Sequence, residues 1–227
     1  MNVAIIAAAG QDTRMGGKRA KQFLQLAGIP IIIHTLQAFE ACEAIQEIIL
    51  VLPEADVRDF SAVARPYKLG KVRAVVSGGV TRASSVLKGL QAVKANDNDI
   101  VVVHDGSRPL VTAAEITQAV RAAEVSGAAI LVAPLVDTVK EVRDGAVTRT
   151  IPRDQLRRAL TPQCFRYGIL RQAYEQVDEL DPSPTDESSL VERLGVAVTV
   201  VEGSSRNIKV TRPEDLSIAE AMMRRSE

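Results

Sequence analysis

"MNVAIIAAAGQDTRMGGKRAKQF" (residues 1–23) is an apolar run that breaks into a loop crowded with positive charge. Val3 to Ala7 are small or β-branched and continuous, as in a strand buried on both faces of a parallel sheet. Directly after it, Arg14, Lys18, Arg19 and Lys21 fall within eight positions, with Asp12 the one opposing charge. In open α/β sheets ligands gather beyond the carboxyl ends of the strands, where strand order reverses. The loop after the first strand is therefore the expected phosphate cradle. The small residues Ala8, Ala9 and Gly10 allow backbone N–H groups to approach an anion closely.

Working outward, Val- and Ile-rich runs recur at 2–8, 46–53, 72–77, 99–105, 128–134 and 196–203. Helical stretches separate them. "IPIIIHTLQAFEA" (29–41) has apolar residues at helical spacing. "TAAEITQAVRAAEVSG" (112–127) opens on a Thr112/Glu115 capping box and closes on Gly127. "TRPEDLSIAEAMMRR" (211–225) opens on the pair Thr211/Glu214. Such alternation predicts an α/β fold, a doubly wound and mostly parallel sheet. No repeat or long linker divides the chain, so residues 1–227 are expected to form a single domain. Two segments depart from the pattern. Residues 137–151 alternate at period two around Asp144-Gly145, a strong hairpin signal. Residues 178–189, "DELDPSPTDESS", read as a polar loop.

Composition narrows the function. The 227 residues are 46% apolar and carry 28 Lys plus Arg against 28 Asp plus Glu. A neutral chain has no global field to attract nucleic acid or a membrane surface, so anion recognition must be local. Cys42 and Cys164 form no CxxC pair, which argues against a zinc site or disulfide framework. The first apolar run lacks a basic lead and is too short for a signal or a span. A soluble, cytoplasmic protein is expected.

The loop is neither of two common phosphate binders. A P-loop needs Gly five positions before Gly17 and Ser or Thr after Lys18, where the chain has Asp12 and Arg19. Asp12 likewise breaks a dinucleotide Gly-x-Gly-x-x-Gly. What remains is a nucleotidyltransferase loop, in which cations meet the charge that builds on an α-phosphate and the departing pyrophosphate. Arg14 offers a planar fork and Lys21 a point charge. The other strand ends agree. Gly78-Gly79 turn into a helix carrying Arg82 and Ser85. Asp105 and Arg108 follow the fourth strand, where an acid suits a divalent cation or a ribose hydroxyl. Lys209 sits between Ile208 and Val210. His34 and His104 have no partner at ligand spacing and are read as structural.

In this order the residues resemble the 2-C-methyl-D-erythritol 4-phosphate cytidylyltransferase family of the non-mevalonate isoprenoid pathway. The match runs through "AAG", Arg14-Met15 and "KQF", then "GG" with Arg82 and Ser85-Val86, and "SRP" after Asp105. It continues through "DTVK", Arg153 before "LTPQCF", "TDESSLVE" and "NIKVTRPEDL". The first motif alone indicates only a sugar- or polyol-phosphate nucleotidyltransferase; the last four are more specific. The resemblance implies a Rossmann-like sandwich, a homodimer, and magnesium or another divalent cation as cofactor; since a lone two-stranded hairpin is marginal in water, the hairpin at 137–153 is expected to be the arm that joins the dimer. It implies a catalytic set of Arg14, Lys21, Arg153 and Lys209. Ala8, Ala9, Gly10, Gly78, Arg82, Ser85 and Asp105 would bind CTP. Asp105, Arg108, Thr138, Arg153 and Lys209 would bind the methylerythritol phosphate, with Asp105 also the metal ligand. The family pattern has Gly where this chain has Asp12 and Pro where it has Ala20. A cytidylyltransferase for ribitol 5-phosphate or another polyol phosphate, and a nucleotide-binding module without turnover, are the alternatives.

Overall fold

A computed structural model describes residues 1–10, 21–176 and 185–224, with Lys21 described in its backbone alone. The strands are β1 (Asn2–Ala7), β2 (Gln25–Leu26), β3 (Ile29–Pro30), β4 (Glu47–Leu52), β5 (Val72–Ser77) and β6 (Ile100–Asp105), then β7 (Ala128–Pro134), β8 (Val139–Arg143), β9 (Ala146–Ile151), β10 (Arg157–Arg166) and β11 (Thr199–Glu202). The helices are α1 (Ile31–Ala41), α2 (Glu54–Val57), α3 (Phe60–Ala64), α4 (Arg82–Gln91), α5 (Ala113–Ser126), α6 (Tyr167–Glu175), α7 (Glu187–Arg193) and α8 (Pro213–Arg224).

Among the described residues seven strands form one sheet in the order β11-β7-β10-β6-β1-β4-β5. β1 runs parallel to β4 and β6, β4 to β5, and β11 to β7. β10 alone is antiparallel, wedged between β6 and β7. Side chains alternate across the sheet at period two. Ala4, Ile6, Ile48, Leu50 and Val102 face one core with Leu36 and Phe39 of α1 and Ile116 of α5. Val3, Ile5, Ile49, Val51 and Val103 face the other, with Val86 of α4, Leu170 of α6 and Val191 of α7. The continuous apolar runs are thus explained: both faces are covered, and the sheet is doubly wound.

Most boundaries match the sequence reading. Residues 72–77 and 128–134 are strands as read, while the last strand is trimmed to Thr199–Glu202. α5 carries its capping box, with Thr112 Oγ1 accepting from Glu115 N at 3.2 Å and Glu115 Oε2 accepting from Thr112 N at 2.9 Å. It ends at Gly127, whose φ of 89° needs a residue without Cβ. Three readings are corrected. The partner of Thr211 is Asp215, not Glu214: its Oδ2 accepts from Thr211 N and Arg212 N at 2.7 and 2.8 Å, because Pro213 sets the helix start one position later. Residues 187–189 belong to α7, capped by Asp186, rather than to a loop. The rest of that polar segment, 177–184, lies outside the described residues. And β10 was not foreseen, since its three arginines and Pro162 do not read as a central strand. Its register shifts between Ala159 and Gln163, around the cis Thr161-Pro162 bond, so the proline falls where the ladder is already interrupted.

The hairpin forms, separate from the large sheet. Asp144 at φ 52° and Gly145 at φ 78° make the turn that matches strand twist. Uniform two-residue pairing would set Thr138 opposite Ile151. Instead a register shift follows Glu141, and Ile151 pairs with Val139. Thr148 is the extra residue, its hydroxyl donating to Glu141 O.

Candidate active site

The strand order reverses around β1, and the loops that leave β1 and β6 part there. A cavity of about 730 Å³ opens at this point. It is lined by Ala7 to Gly10 at the end of β1, Pro53 and Glu54 after β4, Gly78 to Arg82 after β5, Asp105 and Ser107 at the end of β6, and by Gln22, Ser85, Lys88 and Lys209. Of the nucleotide-binding residues expected from sequence, Ala8, Ala9, Gly10, Gly78, Arg82, Ser85 and Asp105 all reach it, with Lys209 beside them. Ala8 N donates to Val51 O at 2.9 Å, and among the described residues the N–H groups of Ala9 and Gly10 have no backbone partner. Gly78 is needed for close approach: a Cβ there would sit 2.1 Å from Ala9 Cβ. The Ser85 hydroxyl serves the loop, donating to Thr81 O at 2.8 Å and accepting from Gly79 N at 3.0 Å. Its part in the cavity is to hold the Gly78-Gly79 turn.

Asp105 is the centre of charge. Its side chain is 8% exposed and three cations share it. Arg82 Nε lies 3.3 Å from Oδ1, and Arg108 Nε and Lys209 Nζ lie 3.2 and 2.9 Å from Oδ2. Burial alone would raise the Asp105 carboxyl, but the charges of Arg82, Lys209 and Arg108 outweigh it and hold the group well below the usual carboxylate range. Arg82 is also paired with Glu187, Nη1 to Oε1 at 2.7 Å. Burial opposes its charge; Glu187 and Asp105 overcome that and raise its pKa above the ordinary arginine value. Burial pulls Arg108 below that value despite Asp105, and Arg158 and Arg82 add to the fall. Three cations against two carboxylates leave this cluster, which lines the cavity through Arg82, Asp105 and Lys209, with one net positive charge. Such an arrangement suits an anionic ligand.

Behind the site, Thr161 Oγ1 accepts from Asp105 N at 3.1 Å and lies 3.0 Å from His104 Nδ1. Arg108 O can only accept, so Nε2 carries the ring proton and donates to it at 3.2 Å, and Nδ1 of the neutral ring accepts from the Thr161 hydroxyl. Burial pushes His104 down to about 3, and the neutral ring packs against Phe39 at 4.9 Å between centroids. His104 is structural, as read, and props the two ends of the Asp105–Arg108 turn.

The chain matches the model of a family described as IspD, 2-C-methyl-D-erythritol 4-phosphate cytidylyltransferase, over residues 2–225. It belongs to that family. A protein of that name from Syntrophus aciditrophicus (strain SB) is 44% identical over 229 residues, spanning 99% of this chain and 97% of the relative. One from Pelotomaculum thermopropionicum is 45% identical over 223 residues, spanning 97% and 93%. Among solved structures, the 4-diphosphocytidyl-2C-methyl-D-erythritol synthase of Anaerococcus prevotii DSM 20548 superposes with a TM-score of 0.86 at 31% identity, over 98% of this chain and 96% of that one. The family is one of nucleotidyltransferases, and its members share this mostly parallel sheet.

Not every candidate meets at the cavity. Arg108 touches Asp105 but does not line the cavity. Thr138 and Arg153 are exposed at the base of the hairpin, where Arg153 Nη1 donates to Val136 O. Arg14, Lys18, Arg19, Asp12 and Ala20 lie outside the described residues. Of Lys21 the backbone is described, in a one-turn 3₁₀ helix with Gln22 and Phe23. Sequence reading missed Gln22, 2% exposed on the cavity wall, whose Nε2 has no partner among the described residues. It missed Lys88, which donates to Gly78 O at 3.0 Å, and Glu187 behind Arg82. Gln22 and Glu187 both lie inside quoted motifs, "KQF" and "TDESSLVE", which was the available signal.

Proposed function

We propose that the chain transfers CMP from CTP to 2-C-methyl-D-erythritol 4-phosphate, in the cytoplasm, as a homodimer with a divalent cation. One observation carries the reading: a buried carboxylate shared by Arg82, Arg108 and Lys209 stands beside the Ala9-Gly10 backbone at the switch point. An oxygen of the acceptor phosphate attacks the α-phosphorus of CTP. The bond from that phosphorus to the bridging oxygen breaks, and its electron pair leaves on pyrophosphate. Cations positioned in advance lower the cost of the charge that builds on the equatorial oxygens. Arg14 and Lys21 are the residues assigned to that charge. Lys209, which lines the cavity, holds and aims the acceptor phosphate, and Asp105, itself braced by Arg108, keeps Lys209 in place.

Among the described residues no three His, Cys, Asp or Glu side chains gather as a metal cage. A magnesium ion needs none when a nucleotide supplies most of its oxygens. Asp105 fits as the single protein carboxylate, since Oδ1 meets one donor at 3.3 Å. A bound magnesium ion would neutralise triphosphate charge. Two buried free cysteines and the absence, among the described residues, of any helix long and apolar enough to cross a membrane support a reducing, aqueous setting.

Pyrophosphate release tests the reading. With CTP, magnesium and 2-C-methyl-D-erythritol 4-phosphate, turnover is expected, and it is expected to stop on chelation. Lys21→Ala should lower kcat by roughly 10²-fold while CTP affinity changes far less. Faster turnover with ribitol 5-phosphate would move the assignment to that acceptor. CTP binding with no turnover on either would make the chain a binding module.

A further inference from the structure

Arg82 joins two buried carboxylates. Its Nε goes to Asp105 and its Nη1 to Glu187, so the guanidinium plane is pinned at two corners. Among the described residues Nη2 has no partner, and Arg82 lines the cavity with its side chain 26% exposed. The Glu187 side chain is 1% exposed. Its Oε1 also accepts from Tyr174 Oη of α6 at 3.1 Å, while its Oε2 has no partner among the described residues. The backbone beneath it is anchored as well: Gln163 Oε1, from β10, accepts from Glu187 N and Ser188 N at 3.1 and 3.0 Å.

A buried carboxylate with one oxygen unsatisfied is a poor stabiliser. Apolar residues of similar volume often serve a core as well or better. A purely structural pair would favour the two-pronged contact of guanidinium on carboxylate. Here the fork is divided between two acids and one end is left for a ligand. We propose that Glu187 is a positioning residue for the nucleotide: through Arg82 it sets where a guanidinium nitrogen meets an anionic oxygen of CTP, and Tyr174 holds the Glu187 carboxylate in place. The proposal rests on the CTP-binding reading above and goes beyond it in assigning residues that lie behind the cavity wall.

Titration calorimetry with CTP alone, and steady-state kinetics with both substrates, test it. Glu187→Gln keeps shape and an acceptor oxygen but removes the charge. It should weaken CTP binding roughly tenfold, equal to 1.4 kcal/mol, with kcat at saturating CTP and KM for the acceptor within about twofold. Tyr174→Phe removes one hydrogen bond to the Glu187 carboxylate but leaves its charge on Arg82, and should weaken CTP about threefold. In an Arg82→Lys background neither change should add further loss, because the effect passes through the guanidinium. Unchanged CTP affinity in Glu187→Gln overturns the proposal, as does an equal loss in both backgrounds or a loss spread over kcat and both KM values. If Glu187→Gln does not fold, Tyr174→Phe in the two backgrounds decides by the same criteria. A wild-type chain that binds no CTP would overturn the functional reading as well; wild-type binding with indifferent variants overturns this proposal alone.

Discussion

Gly78 shows how much of the cavity depends on a missing atom. The loops after β1 and β5 approach until a Cβ on Gly78 would lie 2.1 Å from Ala9 Cβ and 2.9 Å from Ser85 Oγ. Ala9 belongs to the cradle and Ser85 braces the turn, so neither can give way without moving the site. Gly78→Ala is expected to destabilise the fold by about 1–3 kcal/mol, as overpacking does, and to weaken CTP binding at least tenfold. Thermal melts and calorimetry check both. A Cβ on Gly10 meets none of the described residues within 4 Å, so Gly10→Ala should melt like the wild type and serves as the stability control. Gly78 and Asp105 were legible as candidates because turn chemistry and strand ends are local. That Asp105 is shared by three cations was not. Arg82 lies 23 residues before it and Lys209 more than a hundred after, and no spacing rule links them.

The hairpin poses its question as an element. Val142 and Val147 are 59% and 61% exposed, and an isolated two-stranded ribbon is marginal in water. A two-fold contact with the same arm of a second chain would cover these side chains and carry Thr138 and Arg153 to the neighbour's cavity. Mixed subunits test this. Lys21→Ala and Arg153→Ala chains, each inactive, are combined in equal amounts and allowed to exchange. If the arm acts across the interface, half the dimers are mixed and each has one intact site, so activity should return to about a quarter of wild type. Proven exchange without recovery would show that each arm serves its own chain. The ribbon was visible in the sequence through Asp144-Gly145, but its register was not. The extra residue at Thr148 is stabilised by a hydroxyl contact to Glu141 O that alternation does not encode.

At the scale of the molecule, two buried groups tie stability to pH. His104 titrates near 6.5 when unfolded and near 3 when folded, because burial disfavours its charge. Between those values the unfolded chain binds more protons, so this contribution is complete above pH 6.5 and is lost as pH falls toward 3. Asp105, held below its ordinary value by Arg82, Lys209 and Arg108 against the opposing effect of burial, adds a second loss at lower pH. The melting temperature should therefore fall steadily below pH 6.5. His104→Gln should start lower at neutral pH but fall more gently between pH 6.5 and 4; parallel curves would remove His104 as the cause.

The sequence by itself determined the layered class, the strand ends at which the cavity opens and the family. Each rests on short-range information: apolar runs long enough to be covered on both faces, caps and turns within four residues, and motifs at strand ends. Only the tertiary structure decided that an arginine-rich segment with a proline inserts antiparallel as β10 between β6 and β7. That insertion brings Gln163 beneath α7, α7 brings Glu187 to Arg82, and Arg82 reaches Asp105. Burial drives these meetings. Once both faces of the sheet are closed, a charged group left inside must find whatever opposite charge the packing has placed beside it, however distant in the chain.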